Sequence, residues 1–249
     1  MEFSIIFPGQ APSDAEGALS ISMKEYNLGV SYADTIRLRL SGALQEICND
    51  TYYVAHENGR CISRLWNGWG RHGEAIGNFG NFLTEEKFRG QGIGKKMLEL
   101  WFSDLNSRDD LPLGLFCTAG AQAAKLYFPY GFKPVLEGEC AGPLYLPLGN
   151  SPEDFGEFCA RYYRPTQRLI RRKASFEWRH EIDCLLKFDF ARRGEPFGIG
   201  KYAMIEEALL RDPERTEQIF TQEGHCVGWG YDQVLQIHPC YSGVPIESV

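Results

Sequence analysis

With 249 residues, 43% hydrophobic and 24% charged, the chain is too apolar for a disordered protein, and its length fits one large domain or an ordinary domain plus a smaller one. The formal net charge of −7, with no basic excess in either half, argues against a nucleic-acid partner, because a phosphate backbone demands clustered Lys and Arg. Eight cysteines without a CxxC pair, no basic-then-apolar leader in Met1–Pro8, and no apolar run of the ~20 residues a membrane span needs give the expectation of a cytoplasmic protein with no membrane association.

In chain order, Glu2–Phe7 reads as a short strand followed by a Gly/Pro/Ser/Asp loop. Ile36, Leu40, Leu44 and Ile47 recur at helical spacing, predicting a helix from Tyr32 to Cys48 that Asn49-Asp50 ends. Thr51–Ala55 and Arg60–Trp66 are strands joined by a Glu57-Asn58-Gly59 hairpin turn. A third strand spans about Glu74–Thr84, although Gly77, Asn78, Gly80 and Asn81 are poor strand formers and require a reason other than propensity. Met97, Leu98 and Trp101 mark a helix over Gly94–Leu105, and Pro112–Thr118 has the continuous apolar character of a strand buried on both faces. A helix over Ala121–Tyr130 precedes a closing strand pair, Gly131–Leu136 and Leu144–Leu148.

Ser151-Pro152-Glu153-Asp154 combines an N-cap residue, Pro at the first helical position and acid in the first turn, so a helix and a domain boundary are expected there. This divides the chain into domains 1–149 and 150–249. Beyond it, helices are expected over 152–163, 166–184 and 200–211, with strands at Leu185–Phe190 and Val234–His238. Phe197-Gly198-Ile199-Gly200-Lys201 echoes Gln91-Gly92-Ile93-Gly94-Lys95, which raises the possibility of a degenerate internal repeat.

Chemistry concentrates in Arg89-Gly90-Gln91-Gly92-Ile93-Gly94-Lys95, set between a strand and an amphipathic helix. Glycines let the backbone approach a ligand, and the helix that follows offers unpaired N–H groups and the positive end of its dipole to a pyrophosphate. The spacing fits neither common alternative. Lys95 is followed by Lys96 rather than the Ser or Thr of a P-loop, and the glycine interval is wrong for a Rossmann turn.

Arg89, Gly92 and Gly94 reproduce the Arg/Gln-x-x-Gly-x-Gly/Ala hallmark of the GNAT N-acetyltransferase superfamily, and Tyr127-Phe128-Pro129-Tyr130-Gly131-Phe132 resembles its Tyr-x-x-x-Gly-Phe element. The resemblance covers about residues 51–148. It implies an α/β (α+β) fold with a mixed central sheet flanked by helices; residues 150–249, which it does not cover, are expected to form a helical or mixed extension. It also implies acetyl-CoA as co-substrate, an amine acceptor of small-molecule or peptide type, direct attack of the amine on the thioester, and no metal. Cofactor contacts would come from Phe82, Leu83 and Thr84 along the pantetheine arm and from Arg89, Gly90, Gln91, Gly92, Ile93, Gly94 and Lys95 around the phosphates. Tyr127 matches the tyrosine that protonates the departing thiolate.

Two positions depart from the family pattern. Gly120 stands where many members have Asn, and Asn78 and Asn81 occupy the strand where a carboxylate base is common. Glu74 and His72 are the candidate bases, each also readable as a solvated loop residue, and a water chain is the alternative to both. A CoA-binding module without catalysis is the rival function. Trp66-Asn67-Gly68-Trp69-Gly70 suits either a pocket wall or the core. His180, Cys184, His225, Cys226, His238 and Cys240 are too irregularly spaced for zinc, and Arg168, Arg171, Arg172 and Lys173 read as a solvated helix face.

Overall fold

The computed structural model describes residues 1–10, 17–18, 30–194 and 199–248. It has the α/β architecture expected, with strands flanked by helices, and divides into two compact units. The first comprises Met1–Arg71 and Asn78–Leu111, the second His72–Gly77 and Pro112–Val249, so the 149/150 boundary falls inside the second unit.

The first unit is an antiparallel run of β1 (Glu2–Ile6), β2 (Cys48–Glu57), β3 (Arg60–Gly70) and β4 (Ile76–Thr84), whose first two residues belong to the second unit. Helix α1 (Val30–Leu40) connects to β2, and α2 (Ile93–Asn106) follows β4. The expected helix end at Asn49-Asp50 is corrected: α1 stops at Leu40, whose carbonyl accepts from Gly9 N at 2.8 Å, and Gly42 takes the left-handed φ of 85° that closes helices. Asn49 and Asp50 lie in β2. Helix α2 buries Met97, Leu98, Trp101 and Leu105 on one face, with the Trp101 and Phe79 rings 4.6 Å apart and Trp101 Nε1 donating to Asn67 Oδ1 at 3.1 Å.

The second unit holds β5 (Gly114–Ala119), α3 (Ala121–Tyr127), β6 (Lys133–Pro134) and β7 (Gly142–Pro147), with β7 antiparallel to both β5 and β6. Helix α3 gives way at Phe128–Tyr130 to a 3₁₀ turn carrying Pro129, earlier than expected. After α4 (Phe155–Tyr162) comes a second sheet of order β11-β10-β9-β8-β12, formed by β8 (Leu169–Lys173), β9 (Thr216–Thr221), β10 (Cys226–Tyr231), β11 (Val234–Ile237) and β12 (Ile246–Ser248). Helices α5 (Arg179–Arg192) and α6 (Ile199–Arg211) separate β8 from β9. Within this unit Phe116, Tyr145, Phe155, Phe158, Leu185 and Ile219 belong to one core.

Four local expectations are corrected here. The N-cap of α4 is Asp154, whose Oδ1 accepts from Glu157 N at 2.8 Å, so Ser151 and Pro152 precede the helix. The helix expected over 166–184 is instead strand β8, a 3₁₀ turn at Phe176–Trp178 and the start of α5. Arg171 and Arg172 therefore alternate on a strand, Arg171 paired with Glu217 at 3.2 Å and Arg172 over the Phe220 ring. Leu185–Phe190 is helical, within α5.

Of the echoed glycine segment, Phe197 and Gly198 lie outside the described residues, and Ile199 onward begins α6 between two helices rather than after a strand. Strand β8, α5–α6 and the β9-β10-β11 meander, with β8 antiparallel to β9, follow the order of β1, α1, β2, β3 and β4.

Candidate functional site

Strand β4 changes character halfway. Trp66 pairs with Gly80 and Arg64 with Leu83, so Leu65 alone opposes Asn81 and Phe82: a β-bulge of two residues against one. Asn81 adopts φ 49°, a left-handed conformation that Asn tolerates better than other side chains, which accounts for the poor strand formers here. The bulge is held from beneath by β3. Arg64, fully buried, donates from Nε to Asn81 O at 3.3 Å, and Ser63 Oγ donates to Leu83 O at 2.9 Å.

The strand leads through a 3₁₀ turn, Glu86–Phe88, into the glycine loop. Arg89 Nε donates back to Thr84 O at 2.9 Å, and Gln91 Nε2 to Lys87 O at 3.3 Å. Gly90 and Gly92 both have positive φ, 79° and 75°, and a Cβ on either would meet nothing within 4 Å. Their requirement is therefore conformational, and the space before them is open.

Gly92 is the N-cap of α2. It has no side chain to accept a first-turn N–H, and the first turn, Ile93-Gly94-Lys95-Lys96, holds no acid. A helix start with lysines in place of carboxylates leaves its dipole uncompensated and its amides available, the arrangement that favours an anion. Phe82, Leu83 and Thr84 are half-buried, while Arg89 through Gly92, Lys95 and Lys96 are exposed. All ten residues expected to hold the cofactor thus fall on one strand-turn-helix of the first unit.

The expected catalytic residues belong to the second unit. Tyr127 is buried at the end of α3, its ring 5.6 Å from that of Phe132. Glu74 is also buried, and its Oε1 accepts from the backbone N–H groups of His180 at 2.8 Å and Glu181 at 3.1 Å, capping the first turn of α5. His72 is exposed at the surface, its Nδ1 3.2 Å from Glu177 Oε1, and its N–H donates to the same carboxylate.

Sequence reasoning did not single out Glu181, whose carboxylate accepts from Ala75 N at 2.8 Å and Cys226 N at 2.9 Å. Burial pushes its carboxyl up to about 8, against the lowering effect of those two N–H groups. Residues 72–77 and the start of α5 are thereby bonded reciprocally. A glutamate in a first helical turn carries no sequence mark of such a role.

Trp66 and Trp69 resolve as core: Trp66 Nε1 donates to Asp50 Oδ1 at 2.8 Å, and Arg108 lies over the Trp69 ring. Burial pushes the Cys117 thiol up to about 12, which makes it a packing residue rather than a nucleophile. No helix among the described residues is long and apolar enough to cross a membrane.

Together these features define an α/β protein with a bulged strand leading into a glycine loop and a helix whose first turn holds no acid. Residues 48–134 match the family model of the Acetyltransferase (GNAT) domain. The chain is similar to solved structures that include Escherichia coli ElaA (14% identity, 59% of this chain and 99% of that one, TM-score 0.45). Others are a GNAT family acetyltransferase from Brucella melitensis in complex with acetyl-CoA (17%, 61% and 92%, TM-score 0.43) and the Escherichia coli GNAT family N-acetyltransferase YhbS in complex with CoA (18%, 60% and 83%, TM-score 0.40). No curated protein sequence is significantly similar to the chain.

Proposed function

We propose that this protein transfers an acetyl group from acetyl-CoA to an amine acceptor, a small molecule or peptide. The observation that carries the reading is the start of α2: two left-handed glycines, open space before them, and a first turn with Lys95 and Lys96 but no carboxylate. Acetyl-CoA supplies the activated thioester. Backbone N–H groups from Gln91 to Lys95 hold its pyrophosphate, with Arg89 adding charge, and backbone groups of Phe82, Leu83 and Thr84 line its pantetheine arm. Tyr127 gives its phenolic proton to the thiolate as the carbon–sulfur bond breaks and the carbon–nitrogen bond forms, while the surplus proton on the amine nitrogen passes through water to solvent, from which Tyr127 is reprotonated.

Residues 150–249 continue the second unit as an incomplete repeat of the first-sheet topology. In that repeat β11 is followed by a short 3₁₀ turn, Pro239–Tyr241, with no glycine loop and helix, so one CoA binds per chain.

A specific observation favours the second reading, CoA binding without catalysis. Glu74 is occupied as a helix cap and His72 faces Glu177, so neither candidate base is held ready for an incoming amine. Thiol release from acetyl-CoA, screened across amine classes, separates the two readings.

The cofactor site is tested by melting. Acetyl-CoA at about 100 times its Kd stabilises a single-site protein by about 2.7 kcal/mol. Gly92→Val, which cannot adopt φ 75° without strain, is expected to lose that increment relative to its own unliganded melting point. An undiminished shift in the variant would place the cofactor elsewhere.

A further inference from the structure

Within the second unit, α5 and α6 do not close fully over the sheet. A cavity of about 430 Å³ remains between them and β10–β11, within the range of small-molecule sites. Met204, Ile205 and Ala208 of α6 and Leu186 of α5 form its helical walls, and Trp229 and Tyr231 of β10 form its floor.

The sequence of β10 accounts for the floor. In Cys226-Val227-Gly228-Trp229-Gly230-Tyr231 the two aromatics share one face by strand alternation, and glycine is needed on the other. A Cβ at Gly228 would stand 2.6 Å from Gln236 O, and one at Gly230 2.8 Å from Glu217 Cγ. The Trp229 and Tyr231 rings lie 6.5 Å apart at 27°, a near-parallel platform, and Met204 is 67% exposed. A core position would not leave a methionine in water, whereas the rim of a ligand site would.

Two observations bear on the ligand's charge. Arg211 is paired with Glu207 at 3.7 Å, and Arg215 with Asp232, its Nε 2.7 Å from Oδ1. Of the charged groups that line the cavity, Glu207 and Asp212 are carboxylates and Arg211 the one guanidinium, so the wall sums to one negative charge; Asp212 accepts the Tyr231 hydroxyl at 3.1 Å and also acts on Arg215. The second observation is aromatic. The Tyr231 ring already carries the Arg215 guanidinium at 4.9 Å, the contact with a cation that an indole face makes more strongly than a phenol.

We propose that this cavity is a second small-molecule site, which binds an organic cation with a planar aromatic body, its ring against Trp229 and its ammonium directed to Asp212. The site is separate from the glycine loop and does not depend on acyl transfer.

Titration calorimetry on the full chain tests it with three probes of one shape: tryptamine, its neutral analogue tryptophol, and the anion indole-3-propionate. Tryptamine is expected to bind at least about tenfold tighter than tryptophol, with the anion weakest, since a close partly buried charge pair contributes on this scale. Asp212→Asn should bring tryptamine to the level of tryptophol. Ala208→Trp, which fills the cavity, should abolish binding of all three. Where Ala208→Trp does not unfold cooperatively, Met204→Trp at the exposed rim serves the same purpose.

Absence of saturable tryptamine binding, equal affinity for amine and anion, or full binding in the folded cavity-filling variant would each overturn the proposal. The last result would place the amine in an acceptor site instead. The acetyl-CoA melting shift, measured in the same variants, reports on the cofactor site alone, so the two readings stand or fall separately.

Discussion

Glu181→Gln probes the bonds that join residue 75, at the entry to β4, to α5 and β10. In the folded chain burial holds the Glu181 carboxyl near 8, against an ordinary value of 4.5. Between those values the folded state keeps a proton that the unfolded state releases, so the contribution of this group to stability falls as pH rises through that window. From about pH 6 to about pH 8.5 the loss amounts to at most about 3 kcal/mol.

Glutamine is isosteric but does not titrate, and it has a second cost. Ala75 N and Cys226 N donate to different carboxylate oxygens, so one of them would face the amide NH₂ and go unsatisfied. That costs about 1–3 kcal/mol. Urea unfolding of wild type and variant at about pH 6 and about pH 8.5 measures the difference between them, in which other titrating groups cancel. The variant is expected to be less stable by about 1–3 kcal/mol at the lower pH, with the gap closing or reversing at the higher. A gap that stays constant or widens with pH would refute the assignment of a raised, buried carboxyl.

Tyr127→Phe should lower kcat for thiol release by roughly 10²-fold with little change in acetyl-CoA affinity, measured by steady-state kinetics beside calorimetry. Full turnover would leave Tyr127 as a packing residue against Phe132. Asp50→Ala removes the carboxylate that accepts from Trp66 and lies 3.8 Å from the buried Arg39 guanidinium. Removing the carboxylate beside this buried cation should cost about 3–5 kcal/mol in urea unfolding, and a loss below about 1 kcal/mol would mean that Asp50 is not the main partner of Arg39.

The conformation of the glycine loop was legible in the sequence because its determinants are local. Gly90 and Gly92 sit where φ must be positive, and Met97, Leu98, Trp101 and Leu105 repeat at the helical period and, with Ile93, define the buried face of their helix. Asn78 and Asn81 signalled an irregular strand for the same reason: the bulge is written in the tolerance of Asn81 for a left-handed backbone.

What lay beyond the sequence is what distant partners decide. Strand β8 resembles a basic helix face until β9 and β12 supply its ladder, and α5 begins at Arg179 beside a cap, Glu74, more than 100 residues earlier in the chain. The candidate base lost its solvated reading in the same contact, since a carboxylate that satisfies two buried N–H groups is held by the desolvation cost of releasing them. Local periodicity and glycine conformation are properties of a few consecutive residues and survive in the sequence. Strand pairing, long-range capping and the cavity beneath α6 depend on which surfaces meet, and only the tertiary structure decides that.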